Sequence, residues 1–308
     1  MFPVLAVLAA AVLFGTTGTS QALGPAGTTP FAVGAVRLVV GGLALAAVAF
    51  ALAGRQRRRA PHATRPTLDR SSLLLMAATG LCLALYQPLF FLGTERNGVA
   101  VGTVIALGSA PVLAGLLEWL LTRRVPSRAW TAATALATIG VVLLAFGGSG
   151  AATGVDPWGL LGSLGAGASF AVIANAQRRL MDAGWDPFTV SGAMGAGAAV
   201  CGLLMLPFAD LTWISTPSGI AMSLWLGLAT VGAAYSLFTW GLQRLTAATA
   251  ATLTLGEPLT AGILGVTLLG ETLSALAVVG LCVLGAGLVL LAWGSRTPRD
   301  PAPYAVEG

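Results

Sequence analysis

The sequence predicts an all-α integral membrane protein of ten transmembrane helices, arranged as two inverted five-helix repeats with both chain ends in the cytoplasm. Three observations carry that expectation: an apolar composition too rich for a soluble domain, ten windows long enough to cross a bilayer, and arginines confined almost wholly to alternate connections. Of the 308 residues, 56% are hydrophobic and only 9% charged, so lipid rather than a buried core must solvate much of the surface. The 41 glycines fall within apolar runs, where small residues let transmembrane helices approach closely.

A hydrocarbon core of roughly 30 Å takes about 20 helical residues. Ten such windows can be drawn, at 3–23, 31–53, 71–93, 99–121, 128–147, 158–180, 187–208, 219–242, 247–269 and 275–294. The first lacks a basic leader and runs into Thr-rich sequence instead of a small-residue cleavage site, so it reads as a retained span. Residues 1–148 form the first five-helix repeat, 149–295 the second, and 296–308 a cytoplasmic tail.

The net charge of +5 does not point to nucleic acid, because the arginines sit in short loops between apolar segments. All 16 basic residues are arginine, which with the Ala and Gly excess suggests a GC-rich bacterial genome and hence a multi-pass protein of the cytoplasmic membrane. Placing the N-terminus inside puts Arg55, Arg57, Arg58, Arg59, Arg65, Arg70, Arg123, Arg124, Arg128, Arg178, Arg179, Arg244, Arg296 and Arg299 on the cytoplasmic side. Only Arg96 falls outside, and Arg37 lies within a span, a bias that satisfies the positive-inside rule. Trp119, Trp130, Trp158, Trp185, Trp213 and Trp293 fall near predicted span ends, where an indole prefers the headgroup region.

Cys82, Cys201 and Cys282 lie singly in apolar segments, and His62 is the lone histidine. Metal binding and histidine acid/base chemistry therefore have almost no material, and no cofactor is expected. A phosphate-binding loop ending in Lys is impossible in a chain without lysine.

At an offset of 147 the chain matches itself: Pro111 with Pro258, Gly140 with Gly287, Gly147 with Gly294. Upstream the offset drifts while the order holds, with Phe14 matching Phe170, Gln21 matching Gln177, Pro30-Phe31 matching Pro187-Phe188 and Tyr86 matching Tyr235. Five spans per repeat is an odd number, so the second repeat crosses the membrane in the opposite sense, the arrangement that supports alternating access around a midplane site.

The strings LFGTTGTSQAL, PFAVGAVRLVVGG, LGSAPVLAGLLEWLL and LGEPLTAGILGVTLLGETLS, with Gly-spaced fifth and tenth helices, resemble the ten-helix EamA branch of the drug/metabolite transporter superfamily over nearly the whole chain. Glu257-Pro258 followed by Gly270-Glu271 is the most specific element. The first repeat departs from it: Ala110 stands where Glu257 stands, and Thr122-Arg123-Arg124 replaces the Gly-Glu pair. The resemblance implies transport of a small metabolite or drug, often outward, with amino-acid-like solutes among the candidates.

Charges inside spans cost about 2.5–3.5 kcal/mol on insertion scales and mark cavities or partners. Glu257 lies near the centre of the ninth span and Arg37 inside the outer end of the second, whereas Glu118, near the cytoplasmic end of the fourth, reads as a structural, snorkelling group. Burial favours the neutral form of a carboxyl, so Glu257 is the residue expected to carry a proton. Arg37 reads either as the partner of a substrate carboxylate or as a structural counter-ion to Glu257. Thr16, Thr17, Gln21, Tyr86, Gln87, Asn175, Tyr235, Trp240 and Thr254 complete the expected cavity, with Tyr86 and Tyr235 as aromatic gates on opposite sides of the midplane. Pro88, Pro111 and Pro258 are expected mid-span kinks that free the carbonyls of Ala84, Leu107 and Thr254.

Small pairs such as Gly162/Ala166 and Gly192/Ala196 favour packing within one chain, and the same faces would serve a homodimer. The expected function is thus a secondary active transporter of a small-molecule substrate in a lipid bilayer, with protons as a candidate coupling ion. A channel for small solutes and, less readily, an intramembrane enzyme are the alternatives.

Overall fold

The structure is a computed structural model and describes residues 2–59, 66–147 and 156–295. His62, Arg65, Arg296, Arg299 and the 296–308 tail lie outside the described residues. The main helices are α1 (Phe2–Ala22), α2 (Pro30–Arg59), α3 (Arg70–Thr122), α4 (Arg128–Phe146), α5 (Pro157–Asp182) and α6 (Pro187–Met205). They continue as α7 (Pro217–Leu224), a π-helical stretch Trp225–Ala233, α8 (Ala234–Leu242), α9 (Ala247–Leu253), α10 (Gly256–Leu269) and α11 (Ala275–Gly294). Among the described residues, nine helical rods are long and apolar enough to cross a membrane.

Nine replaces the ten expected windows because the third and fourth fall on one helix. At 53 residues α3 would be about 80 Å long if straight, far more than a bilayer core. Gly98 breaks it with φ 79°, ψ 154°, a left-handed backbone that costs glycine little. The arms 70–97 and 99–122 then fold back, so that Gly102 abuts Thr94.

Polar residues start the helices where the sequence enters each apolar run. Asp69, Ser127, Asp156, Asp186, Thr216, Thr246 and Ser274 each accept a hydrogen bond from a first-turn backbone N–H. In α5, α6 and α7 a proline follows the cap at the first helical position, where no intrahelical donor is needed.

Close backbone approaches set the helix partners. A side chain on Gly140 of α4 would strike Leu284 of α11, one on Gly287 of α11 would strike Ala137, and one on Gly147 would strike Ala277. Partners advance in opposite directions along the chain, so α4 and α11 are antiparallel. Because Gly140 matches Gly287 and Ala137 matches Leu284 in the sequence repeat, the two contacts are the same contact made twice. Gly162 of α5 lies against Leu89 and Gly93 of α3, and Gly192 of α6 against Phe50 of α2, so these small-residue faces are used within the chain.

The arginine-bearing ends gather at one face. There Arg57 donates to Thr189 at 3.0 Å and Trp185 to Ser72 at 3.2 Å, and a side chain on Gly241 would meet Pro3 and Val7. The start of α1 and the end of α11 lie at this same face. Arg96, at the opposite face, pairs with Asp156 at 3.7 Å. Trp213 lies between two spans, as expected, but is buried in a cluster with Val33, Val36 and Met222, its indole N–H donating to the Asp210 carbonyl at 3.0 Å.

Candidate functional site

Arg37 lies on α2 between buried Val36 and Leu38. Its Nη1 donates to Gln87 Oε1 on α3 at 3.1 Å, while Nε is buried without a partner. An unpaired buried donor costs on the order of 1–3 kcal/mol, so the guanidinium is held but not satisfied.

Glu257 occupies the first turn of α10. The ninth span is broken into α9 and α10 by a turn at Thr254 and Leu255. Pro258 lies just after this mid-span break, so the expected interruption takes the form of a helix restart. It sits third in a helix whose first-turn donors need no intrahelical partner, and the Thr254 carbonyl, expected to be freed, accepts the Glu257 N–H at 2.9 Å. The break places the Glu257 carboxylate at the positive end of the α10 dipole. Gly15 of α1 permits this, because a side chain there would occupy the place of Thr260 and of the Glu257 carbonyl.

Arg37 and Glu257 do not form a contact ion pair, yet each lies within Coulombic reach of the other and of Tyr86 and Tyr235. The two tyrosines thus share one electrostatic neighbourhood with Arg37 and Glu257. Edge-to-face ring contacts join them: Phe14 to Tyr235 at 5.1 Å, Tyr235 to Phe238 at 6.3 Å, Phe238 to Phe170 at 5.4 Å and Phe170 to Tyr86 at 6.4 Å. Phe90 stacks on Tyr86 at 6.2 Å. Arg37, Gln87, Tyr86 and Glu257 keep partial access, while Phe14, Phe170 and Phe238 are buried behind them.

The remaining predicted positions lie elsewhere. The Asn175 amide donates to the carbonyls of Ala114 at 3.1 Å and Ala171 at 3.0 Å, so it staples α5 to α3. Thr254 is buried, its hydroxyl donating to the Ala251 carbonyl at 2.7 Å. Trp240 is 44% exposed and shares no hydrogen bond or ring contact with the cluster. Thr16 accepts from the Trp225 indole at 2.9 Å and lines a separate groove of about 500 Å³ with Ser20, Leu264 and Leu268. Thr17 is half-buried, and the Thr17 carbonyl accepts from Gln21 Nε2 at 3.5 Å. Pro88 and Pro111 sit within continuous helix on either arm of α3. Glu118 accepts the Ala248 N–H at 2.9 Å and so caps α9 from the neighbouring arm of α3.

Sequence reasoning passed over Phe90 and Phe238 as site residues and used Phe14 and Phe170 only as repeat markers. The i, i+4 spacing of Phe90 from Tyr86 was the available signal. Among the described residues no group of His, Cys, Asp and Glu could hold a metal ion.

Among the described residues the chain is a set of long apolar helical rods, the build of a multi-pass membrane protein. The EamA-like transporter family model matches residues 1–146 and again 157–293, once per repeat, and the chain belongs to that family. It is a membrane transporter of the drug/metabolite type, in the cytoplasmic membrane. The chain is 40% identical over 298 residues to an uncharacterized transporter, YwfM, of Bacillus subtilis (strain 168), covering 96% of this chain and 94% of the relative. A solved crystal structure shares the fold with a TM-score of 0.74 at 19% identity, over 94% of this chain and 98% of that one.

Proposed function

We propose that the protein is a secondary carrier that moves a small, carboxylate-bearing solute across the membrane by alternating access. The observation that carries this reading is the placement of Arg37 and Glu257: opposite charges, one from each repeat, inside spans, near but not touching. A structural ion pair would close that distance. Held apart, Arg37 offers its unpartnered Nε to an anionic group, and Glu257 faces the same space as a site for a proton or for the cationic end of the solute.

In this reading the arms of α3 count as two spans, giving ten, and the five-helix repeats are inverted. The doubled Gly140–Leu284 and Gly287–Ala137 contacts support it, since an antiparallel pair of matched helices is what inversion produces. The arginine-rich face, with the start of α1 and the end of α11, is then cytoplasmic. Outward movement is the favoured direction.

A thermal-shift screen of purified protein against carboxylates, nucleobases and cationic drugs tests the substrate class. Carboxylates should stabilise the wild type and lose that effect in Arg37→Ala. Stabilisation confined to neutral or purely cationic compounds would reject the assignment.

A further inference from the structure

The first helices of the two repeats carry matched stripes. Phe14, Gly18, Gln21 and Ala22 of α1 correspond, at one unbroken offset, to Phe170, Ala174, Gln177 and Arg178 of α5. Residues four and seven apart share a helix face, so each stripe presents a ring, a small residue and a glutamine to the bundle.

On α5 the stripe is shut. Phe170 packs on Phe238, and Ala174 has no accessible surface. Gln177, also wholly buried, accepts from the Thr239 hydroxyl at 3.1 Å and donates to the Met194 sulfur at 3.1 Å. Beside it, Arg178 Nη1 donates to the carbonyls of Leu242 at 3.0 Å, Gln243 at 2.6 Å and Leu245 at 3.4 Å. The other edge of the same guanidinium pairs with Asp182 at 2.6 Å and 3.2 Å. The last carbonyls of a helix lack partners of their own, and Nη1 serves that of Leu242 together with two from the link between α8 and α9, so fixing the link.

On α1 the ring of Phe14 packs on Tyr235, and beyond it the stripe is open. A side chain on Gly18 would meet nothing within 4 Å. Gln21 reaches only the Thr17 carbonyl of its own helix, and Ala22 has no head group where Arg178 has one. Among the described residues no hydrogen bond or ring contact joins α1 to the 70–97 arm of α3, the counterpart of α8.

We infer that Gln177 and Arg178 form a latch that shuts the arginine-rich end of the pathway, leaving the site around Arg37 and Glu257 open towards the opposite face. The latch is made in one repeat only, so the two ends of the pathway are closed by different chemistry. Opening the arginine-rich end requires α5 to leave α8, which breaks the Thr239 bond and pulls the guanidinium from three carbonyls at once. This inference rests on the carrier reading, and the test separates the two.

In a full-length chain with Cys82, Cys201 and Cys282 replaced by serine, single reporters Gly18→Cys and Ala174→Cys are reacted with a polar maleimide. With the latch intact, the cysteine at 18 should label and that at 174 should not. Adding Arg178→Ala or Gln177→Leu should raise labelling at 174 about tenfold and lower it at 18, as a two-state shift requires. A rise at 174 with no change at 18 supports the latch but removes alternating exposure. Unchanged labelling at 174 in both variants, or a rise at both reporters together as general loosening gives, overturns the latch. Should Arg178→Ala not fold, Arg178→Lys serves, since a single ammonium cannot hold Asp182 and the three carbonyls at once as the two edges of the guanidinium do, and the same rates decide.

Discussion

Phe14 meets the ring of Tyr235 edge-on, 5.1 Å between centroids with planes at 62°. Phe170 meets Tyr86 in the same way at 61°, with the centroids 6.4 Å apart. Since Phe14 matches Phe170 and Tyr86 matches Tyr235 in the repeat, each phenylalanine packs on the tyrosine of the other repeat. The looser of the two contacts lies next to Gln87 and Arg37, so the pair differs where the charges break the symmetry.

The ring contact and the hydroxyl of Tyr235 should separate experimentally. Tyr235→Phe keeps the packing and removes a polar group from the space shared by Arg37 and Glu257, so the apparent KM should rise several-fold with an unchanged Tm. Phe14→Leu removes an edge-to-face contact worth about 0.5–1.5 kcal/mol, and Tm should fall with little change in KM. The comparison needs thermal unfolding and initial-rate transport of the same samples.

Gln87 gives Arg37 its one hydrogen bond. Gln87→Leu leaves the whole guanidinium unpartnered, a loss on the order of 1–3 kcal/mol, and carboxylate transport should drop more than tenfold. In Gln87→Glu the guanidinium gains a contact counter-ion, and carboxylate binding should weaken although the fold is kept. Binding isotherms of both variants check this.

Glu257→Gln should abolish the dependence of transport on a pH gradient while preserving exchange of substrate, if the carboxyl carries the coupled proton. Transport with and without an imposed gradient, across pH, reads the difference. Retention of the wild-type pH profile would remove Glu257 from coupling.

Glu118 should behave as a structural residue. It caps α9 by accepting the Ala248 N–H, and a lost cap costs about 1 kcal/mol. Glu118→Ala should lower Tm by a few degrees with the solute affinity of the wild type, whereas a change in affinity exceeding the change in stability would place Glu118 in the site.

Most of the fold is legible in the sequence because length and apolarity are local properties. The break at Gly98 is a glycine between Asn97 and Val99 that looks like any other of the chain's glycines. Glu257-Pro258 in an apolar run suggests a kink in the ninth span, and the interruption takes the form of a helix restart in whose first turn Pro258 needs no intrahelical donor.

Arg37 and Glu257, the charged half of the proposed site, stand out in the sequence because burying a charge needs a reason that sequence alone can ask for. Asn175, Thr254 and Trp240 could not be sorted, since a polar group on a span serves backbone, cavity or lipid according to which way its helix face turns. The latch went unseen for a related reason: Arg178 counted as one more cytoplasmic arginine, and its three carbonyl partners come from a link 64 to 67 residues away.

Counterflow in proteoliposomes tests the central claim most directly. Vesicles loaded with an unlabelled carboxylate that binds the protein should drive transient accumulation of the labelled form from outside, and Arg37→Gln should abolish it. Labelled uptake that only approaches equilibrium, indifferent to the solute inside and to the loss of Arg37, would contradict a carrier with its site between Arg37 and Glu257.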